Sequence, residues 1–262
     1  MNIASASNDR IKEIKKLIKS AAYRREKGLY VVEGIRMFRE IPRELIESVY
    51  VSEGNYMKLK DQILSVVDES EIIFVADHVF SSMSDTNTPQ GVLATVRMNK
   101  VLLDDLLDDK NSFVLIAERL QDPGNLGTIV RTAEGAGATG IILSNDCVDL
   151  YNPKVIRSTM GSIFRVPVYV AVDLEETIEQ LKDRNVCIYG AHLDGNEFYN
   201  EDFKEACGFL IGNEGNGLTE AISSKADKLI RIPMCGKVES LNAATSVAVI
   251  SYEVLRQRRK FI

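Results

Sequence analysis

Apolar and polar positions alternate along this chain with two periods, and each period predicts one kind of element. From residue 113 onward, short apolar runs alternate with amphipathic segments. The runs predict strands at 113–117, 140–144, 166–170, 186–190, 208–212 and 229–232. The amphipathic segments predict helices at 124–136, 153–159, 174–184, 218–225 and 242–260. Strands and helices that alternate in this way favour a mostly parallel sheet covered on both faces.

The first third of the chain shows the same periods less regularly. Isoleucine and leucine recur at helical spacing over residues 11–18, which predicts a helix there. Further runs predict strands at 28–34, where the strand ends at a glycine turn, and at 48–51, 72–75 and 91–96, and a short helix at 77–83. We therefore place a helical arm and a smaller α/β domain at 1–97, a linker helix at 98–112, and a larger α/β domain at 113–262.

Composition and charge narrow the class of protein. The chain has 262 residues, of which 45% are hydrophobic and 27% charged, as in ordinary globular proteins. It has neither an apolar run of about 18–20 residues nor a secretory signal, so we expect a cytoplasmic protein without membrane association. Residues 1–27 carry eight basic and three acidic residues, although the net charge of the whole chain is −6. This basic arm favours a local contact with an anionic polymer; a solvated helix face explains it equally well.

The cysteines and histidines do not form a metal-binding pattern. The four cysteines are scattered without a C-x-x-C pair, and the chain has only two histidines. We therefore expect reduced thiols and no metal site.

One glycine pattern resembles a dinucleotide-binding fingerprint without being one. Residues 135–140 read G-A-G-A-T-G, which fits G-x-G-x-x-G. That fingerprint must follow a strand and open a helix, whereas here a predicted helix comes before the glycines and a predicted strand comes after them. We therefore expect these glycines to end a helix.

The last third of the chain carries three short motifs in order. A glycine-rich turn, I-G-N-E-G-N-G-L at 211–218, follows a predicted strand and precedes a predicted helix. I-R-I-P-M at 230–234 comes next, and V-E-S-L-N-A-A at 238–244 opens the final helix. Clustered glycines let a ligand approach the backbone closely. The turn lacks the lysine and hydroxyl residue of a phosphate-binding P-loop, so we expect another ligand.

Together with E-R-L-Q-D-P-G-N-L-G-T-I-V-R-T-A at 118–133, these motifs resemble the SpoU (TrmH-like) branch of the SPOUT methyltransferases. The run D-L-Y-N-P-K-V-I-R-S-T-M-G at 149–161 is also similar to that family, so the resemblance covers 113–262 densely. E-G at 33–34 and S-D-T-N-T-P-Q-G at 84–91 resemble, more loosely, the RNA substrate-binding domain fused to many members. That domain is itself similar to ribosomal RNA-binding proteins.

The resemblance implies a fold, a reaction and partners. The fold is an α/β knot, in which a trefoil knot and a parallel sheet form the C-terminal domain, and the assembly is a homodimer through the knotted domain. The reaction is transfer of a methyl group from S-adenosylmethionine to a ribose 2′-hydroxyl of RNA, with rRNA favoured over tRNA. The apolar stripe of Ala243, Val247, Ile250 and Val254 on the final helix agrees with a dimer, but burial within the chain explains it equally.

The resemblance also assigns candidate site residues. Cofactor-binding positions are Gly212, Asn213, Gly215, Gly217, Ile232, Met234 and Leu241. Catalytic positions are Asn125, Arg131, Glu214, Ser240 and Asn242. Candidate RNA contacts are Arg24, Arg25, Lys27, Lys154 and Arg157.

Each assignment has a structural alternative. Ile232, Met234 and Leu241 can be ordinary core residues, and Ser240 can be a helix N-cap. Arg131 can be a surface arginine paired with Glu134, and Glu214 can anchor Arg131 or another loop. The alternative functions are a tRNA methyltransferase and a non-catalytic RNA-binding protein of ribosome assembly. A narrower form of the rRNA hypothesis is an antibiotic-resistance methyltransferase.

Overall fold

The computed structural model describes residues 2–107 and 111–259, which form eleven strands and ten α-helices. The strands are β1 (Asn2–Ile3), β2 (Leu29–Glu33), β3 (Ile46–Ser52), β4 (Ile72–Val75), β5 (Val92–Arg97), β6 (Phe113–Ala117), β7 (Gly140–Ser144), β8 (Val168–Ala171), β9 (Cys187–Glu197), β10 (Cys207–Ile211) and β11 (Lys228–Arg231). The helices are α1 (Asp9–Lys19), α2 (Ala21–Lys27), α3 (Ile35–Phe38), α4 (Glu53–Leu64), α5 (Asp77–Met83), α6 (Pro123–Ala136), α7 (Pro153–Thr159), α8 (Leu174–Lys182), α9 (Glu220–Ser223) and α10 (Ala243–Arg258).

The chain forms two compact units whose boundaries differ from the predicted domains. The first unit contains Met1–Lys100 and Asp149–Phe164, and the second contains Val101–Val148 and Arg165–Ile262. The segment that carries α7 therefore belongs to the first unit, although the sequence placed it in the larger domain. The reason is local packing: Ile156 is buried in the core of the first unit, and Tyr151 lies against Tyr30 with ring centroids 4.6 Å apart.

The first unit is built on a mixed five-stranded sheet with the order β1-β4-β3-β5-β2. Strand β5 is antiparallel to β2 and β3, and the other pairs are parallel. Ile11, Ile14 and Leu17 of α1 are buried in one of its two apolar clusters, so the predicted arm is packed into the unit. Ser20 adopts an extended conformation and its hydroxyl accepts a hydrogen bond from the Tyr23 amide, which splits the arm into two helices.

The second unit is built on a six-stranded sheet with the order β11-β9-β10-β6-β7-β8. All five strand pairs are parallel, which confirms the predicted sheet. The predicted cap is also present: α6 ends at Ala136, and Gly137 has φ +74°. The knotted threading that the resemblance implies stays a prediction.

Strand β9 is longer than predicted and is interrupted. Strand β11 pairs first with Tyr189 and Gly190, and then with Asn196 and Glu197. Residues 191–195 therefore bulge out of the sheet, as strands often do beside functional sites. The prediction ended this strand at 190 because the polar residues that follow it do not continue the apolar run.

The predicted linker helix is a single 3-10 turn, Leu103–Leu106. Leu106 packs so closely on β7 that a Cβ at Gly140 would lie 2.3 Å from its Cγ. Asp108, Asp109 and Lys110 of the predicted linker, and Lys260 of the predicted final helix, lie outside the described residues.

The apolar stripe of α10 is buried within the second unit. Val247, Ile250 and Val254 are at most 1% exposed, and α10 packs against α6. Ala244 is buried in place of the predicted Ala243, one position further along the helix. Because the chain itself covers this stripe, the stripe supplies no argument for a dimer.

Candidate active site

The glycine-rich segment after β10 forms a closed turn. The backbone groups of Asn213 and Gly217 exchange two hydrogen bonds, of 3.0 and 2.9 Å. The Asn213 side-chain oxygen accepts from the amides of Gly215 and Asn216 at 2.9 and 3.1 Å. A Cβ at Gly212 would lie 2.1 Å from the Gly217 carbonyl carbon, and Gly217 has φ +68°. Closing this turn therefore requires glycine at both positions.

A cavity of about 480 Å³ opens beside this turn, at the carboxyl ends of β9, β10 and β11. Ligands of parallel α/β folds bind at this edge of the sheet. All seven predicted cofactor positions line the cavity: Gly212, Asn213, Gly215, Gly217, Ile232, Met234 and Leu241. Glu214 and Ser240, from the predicted catalytic set, line it as well. Its volume lies within the usual range of small-molecule sites, roughly 300–1,000 Å³.

The bulge of β9 forms a further wall of this cavity, which the sequence analysis did not anticipate. Ala191, His192, Leu193 and Asp194 line it. A Cβ at Gly195 would lie 2.5 Å from the Ile230 amide nitrogen, so the bulge passes very close to β11. The sequence contained one signal for this wall: these residues come directly after a predicted parallel strand, and ligands bind beyond the carboxyl ends of such strands.

Glu214 connects the turn to the start of α6. Its carboxylate accepts hydrogen bonds from the amides of Gln121 and Asp122 at 3.2 and 3.0 Å, and from the Asn125 side-chain amide at 3.0 Å. Partial burial raises the pKa of Glu214, but the hydrogen bonds from Asn125 and from the two backbone amides outweigh it. The pKa therefore lies below its usual value. Glu214 is consequently an ionised anchor for the loop 121–125.

The start of α10 is tied to the same network. The Asn242 side-chain amide donates to the Asn125 side-chain oxygen at 2.9 Å. The Asn242 side-chain oxygen accepts from the amides of Ala244 and Thr245, so Asn242 caps α10. The alternative in which Ser240 caps this helix is therefore wrong. Asn125, Glu214 and Asn242 form one chain of contacts, and Glu214 places it at the cavity.

Arg131 lies about two turns into α6 and is exposed. The alternative pairing with Glu134 is not present: Glu134 is bonded to Arg165, and no ion pair or hydrogen bond of Arg131 is found within the described part of the chain. Of the two predicted alternatives for Glu214, anchoring Arg131 or anchoring another loop, the structure shows the second. Glu214 is bonded to the start of α6, and Arg131 is not among its partners. The guanidinium of Arg131 is therefore available to a ligand.

The predicted RNA contacts divide into two groups. Arg24 is 3% exposed and donates to the carbonyls of Leu17 and Ile18 and to the carboxylate of Asp149. Its predicted role as an RNA contact is wrong, because its guanidinium is already engaged inside the first unit. Arg25, Lys27 and Lys154 are exposed, and Arg157 is half-buried and donates to Asp85 at 2.8 Å.

Two further findings concern residues 2–107 and 111–259. No group of three or more His, Cys, Asp or Glu residues there is arranged to hold a metal ion. No helix there is long and apolar enough to cross a bilayer.

Two sequence families match the chain. Residues 112–252 match the SpoU rRNA Methylase family, which is more than half of the chain, and residues 8–94 match the MRM3-like substrate binding domain. The 23S rRNA (guanosine(2553)-2′-O)-methyltransferase RlmP of Bacillus subtilis is 31% identical over 254 residues, which cover 96% of this chain and 98% of the relative. The 23S rRNA (uridine(2479)-2′-O)-methyltransferase of Streptomyces viridochromogenes is 28% identical over an alignment that covers 97% of this chain and 92% of the relative.

A solved structure shows the same similarity across both units. The SpoU methyltransferase AviRb from Streptomyces viridochromogenes, in complex with AdoMet, superposes with a TM-score of 0.88 at 28% identity. The match covers 96% of this chain and 98% of AviRb. The chain therefore belongs to the SpoU rRNA methylase family.

Proposed function

We propose that this protein transfers a methyl group from S-adenosylmethionine to a ribose 2′-hydroxyl of 23S rRNA. The observation that carries the proposal is the network Asn242–Asn125–Glu214, which ties the cavity wall to the start of the helix bearing Arg131, an arginine with no partner found in the described residues. Relatives named as 23S rRNA 2′-O-methyltransferases, matched over nearly their full length, support the rRNA substrate.

The cavity fits the proposed cofactor. Its wall combines apolar side chains, such as Ile232 and Leu241, with polar groups of Asn213 and Ser240, which suits a molecule with an adenosine and an amino-acid end. The turn that begins at Gly212 would hold the cofactor largely through backbone groups. When bound, the sulfonium supplies an electrophilic methyl group; this chemistry needs no metal ion.

In this reaction the ribose oxygen forms a bond to the methyl carbon as the bond from carbon to sulfur breaks, and the hydroxyl proton leaves to solvent or to a base. Arg131 is the proposed catalytic residue. A guanidinium group stays protonated in proteins, so we assign Arg131 to binding the target phosphate and stabilising developing oxyanion charge. Asn125 would orient the hydroxyl, and Ser240 would hydrogen-bond the substrate or fix the loop.

The first unit is proposed to hold the RNA. Its buried Glu33 carboxylate accepts hydrogen bonds from the hydroxyls of Ser84 and Thr86 and from the Asp85 amide, which fixes the loop 84–91. Arg157 is bonded to Asp85 of the same loop. Preorganised loops bind with less loss of conformational entropy. The exposed cations Arg25, Lys27 and Lys154 are proposed as phosphate contacts of this unit.

We further propose a homodimer through the second unit and a cytoplasmic location, both on the family resemblance. Sedimentation of the purified chain tests the dimer: we expect twice the chain mass of 29.2 kDa, and a single chain mass at micromolar concentration would contradict it.

The cofactor site is tested by isothermal titration of S-adenosylmethionine into wild type, Gly212→Ala and Gly236→Ala. An added Cβ overlaps the turn backbone at Gly212, whereas it meets nothing within 4 Å at Gly236. We expect Gly212→Ala to weaken binding by about a hundredfold or more, because the strained turn must reopen, and Gly236→Ala to bind like wild type. Equal affinity of all three proteins would contradict this site.

A further inference from the structure

A second cavity, of about 270 Å³, lies in the second unit at the carboxyl ends of β6, β7 and β8. Because the six-stranded sheet is parallel throughout, this edge also carries the cofactor cavity. Its polar lining comes from Glu118 and Arg119 after β6, from Ser144 to Asp146 at the end of β7, and from Asp173 and Glu175 after β8. Glu118 and Arg119 open the motif at 118–133, and none of the residues that line this cavity is among the predicted cofactor-binding positions.

The two cavities share one wall. The Glu118 carboxylate, 5% exposed, accepts from the amide and hydroxyl of Thr219 at 2.8 and 2.7 Å. The Arg119 carbonyl accepts from the Asn213 side-chain amide at 2.8 Å. Glu118 and Arg119, which lie between the two cavities, are thus bonded to the glycine-rich turn and to Thr219. They lead directly into the segment that Glu214 anchors.

Arg119 is held in an unusual conformation. It has φ +51°, in the left-handed region that side chains other than glycine and asparagine rarely adopt. Its amide donates to the Ser144 hydroxyl at 2.9 Å, and its carbonyl also accepts from the Gln121 side chain at 3.1 Å. Its Nε is buried and lies 3.8 Å from the Glu118 carboxylate as an ion pair, but it has no hydrogen-bond partner in the described residues; the side chain as a whole is 39% exposed. A strained residue with an unsatisfied donor is a candidate ligand contact.

The lining favours a nucleobase over a phosphate. Asp146, Asp173 and Glu175 would repel an anion, and the described residues contain no arrangement suited to a metal ion. Carboxylates accept well from amino groups of bases, and arginine donates to base carbonyl and ring nitrogen acceptors. Val172 is 86% exposed at the rim, and Leu174 and Ile222 line the floor, which offers apolar contact to the face of a base.

We propose that this cavity binds an unpaired nucleobase with an exocyclic amino group, from the RNA substrate, and that Arg119 and Val172 contact it. The inference rests on the proposed function for the identity of the polymer. It assigns substrate binding, and not the methyl transfer itself, to a region outside the cofactor cavity. The base is held equally before and during methyl transfer, so its loss affects KM and leaves kcat largely unchanged.

The kinetic test uses Arg119→Gly with Asn185→Gly as its matched control. Both replace a residue at positive φ by glycine, which adopts that conformation without strain, and Asn185 lies outside the cavity. With rRNA that lacks the modification, we expect Arg119→Gly to raise KM about tenfold, as expected for loss of a hydrogen bond from a charged group. Its kcat and its affinity for S-adenosylmethionine should stay within twofold of wild type. An unchanged KM would overturn the assignment of Arg119.

A second measurement does not depend on methylation. Methyl NMR of the full chain, saturated with S-adenosylhomocysteine to fill the cofactor cavity, follows Val172, Leu174 and Ile222 during titration with guanosine, cytidine, adenosine and uridine. We expect these methyl signals to shift with the first three nucleosides and markedly less with uridine. No shift with any nucleoside, or equal shifts with all four, would overturn the proposal. If wild type fails to methylate rRNA yet the shifts occur, the proposed function fails and the base-binding cavity stands.

Discussion

Arg24 in the first unit was predicted to contact RNA and Arg131 in the second was predicted to be catalytic, and the surroundings of their guanidinium groups are opposite. Arg24 is 3% exposed and engages two backbone carbonyls and Asp149. Arg131 is exposed, and no partner is found for it in the described residues. The comparison teaches that a cluster of basic residues does not identify an RNA contact. A guanidinium is available to a ligand where, as at Arg131, no hydrogen bond or ion pair is found for it in the described residues.

The largest expected effect is on the rate of methylation when Arg131, which has no partner found in the described residues, is replaced. Arg131→Ala should lower the rate of methylation by about 10²–10³-fold, as for removal of one donor that stabilises transition-state charge, with an unchanged melting temperature. Arg165→Ala is the matched control, because Arg165 is bonded to Glu134 on the same helix and is proposed to have no catalytic role. Single-turnover methylation of rRNA measures both. Equal losses in the two variants would remove the distinction between a free and a paired arginine.

Replacing Arg24, whose guanidinium is bonded inside the first unit, should instead lower the stability of the protein. Arg24→Met leaves the Asp149 carboxylate without its cation and should lower the free energy of unfolding by about 3 kcal/mol, since breaking one side of a buried ion pair is strongly destabilising. Its exposed neighbour Arg25→Met should change stability by less than about 0.5 kcal/mol. Urea denaturation followed by circular dichroism makes the comparison. An Arg24→Met protein as stable as wild type would show that the internal contacts contribute little.

Glu214, which anchors the start of the helix that carries Arg131, gives a pH-dependent prediction. Folding lowers the pKa of Glu214, so its contribution to stability is present above its unfolded pKa and is lost as the pH falls through the folded value. The model-peptide value is about 4.3, so the loss should occur below about pH 4. Glu214→Gln should abolish that part of the acid dependence and lower activity about tenfold, because the loop 121–125 loses a charge-assisted anchor. Melting temperatures between pH 3 and pH 7 test the sign; a variant whose acid dependence matches wild type would contradict the anchor.

The smallest expected effects are those of two Asn242 variants, which separate its role as the cap of α10 from its hydrogen bond to Asn125. Asn242→Ala removes the cap of α10 and should cost about 1 kcal/mol. Asn242→Asp keeps an oxygen for the cap and loses the amide that donates to Asn125, so it should retain stability. Both should lose activity a few-fold if the link to Asn125 matters. Full activity of the aspartate variant would show that Asn242 acts only as a cap.

The sequence could predict those parts of the molecule that depend on local patterns. Apolar runs predicted the strands of the parallel sheet, and Gly137 ended α6 for the reason that glycines generally end helices. All seven predicted cofactor positions line one cavity, because those at 212–217 follow β10, Ile232 and Met234 follow β11, and Leu241 comes shortly before α10.

The sequence could not predict what depends on packing between distant segments. The bulge at 191–195 arises from the pairing of β9 with β11, and no local pattern encodes it. The burial of Arg24 depends on Asp149, 125 residues later in the chain. Likewise, the role of Glu214 became definite only when its partners in the loop 121–125 were located.

The most direct test of the account is a transcriptome-wide map of ribose 2′-O-methylation in rRNA and tRNA from a strain that lacks this protein. The strain is complemented with wild type, Arg131→Ala or Arg165→Ala. We predict that one 23S rRNA site is lost and is restored by wild type and Arg165→Ala, but not by Arg131→Ala. Loss of a tRNA site would replace the proposed substrate. Restoration by Arg131→Ala, or no lost site at all, would contradict the proposal that this protein methylates RNA with Arg131 as its catalytic residue.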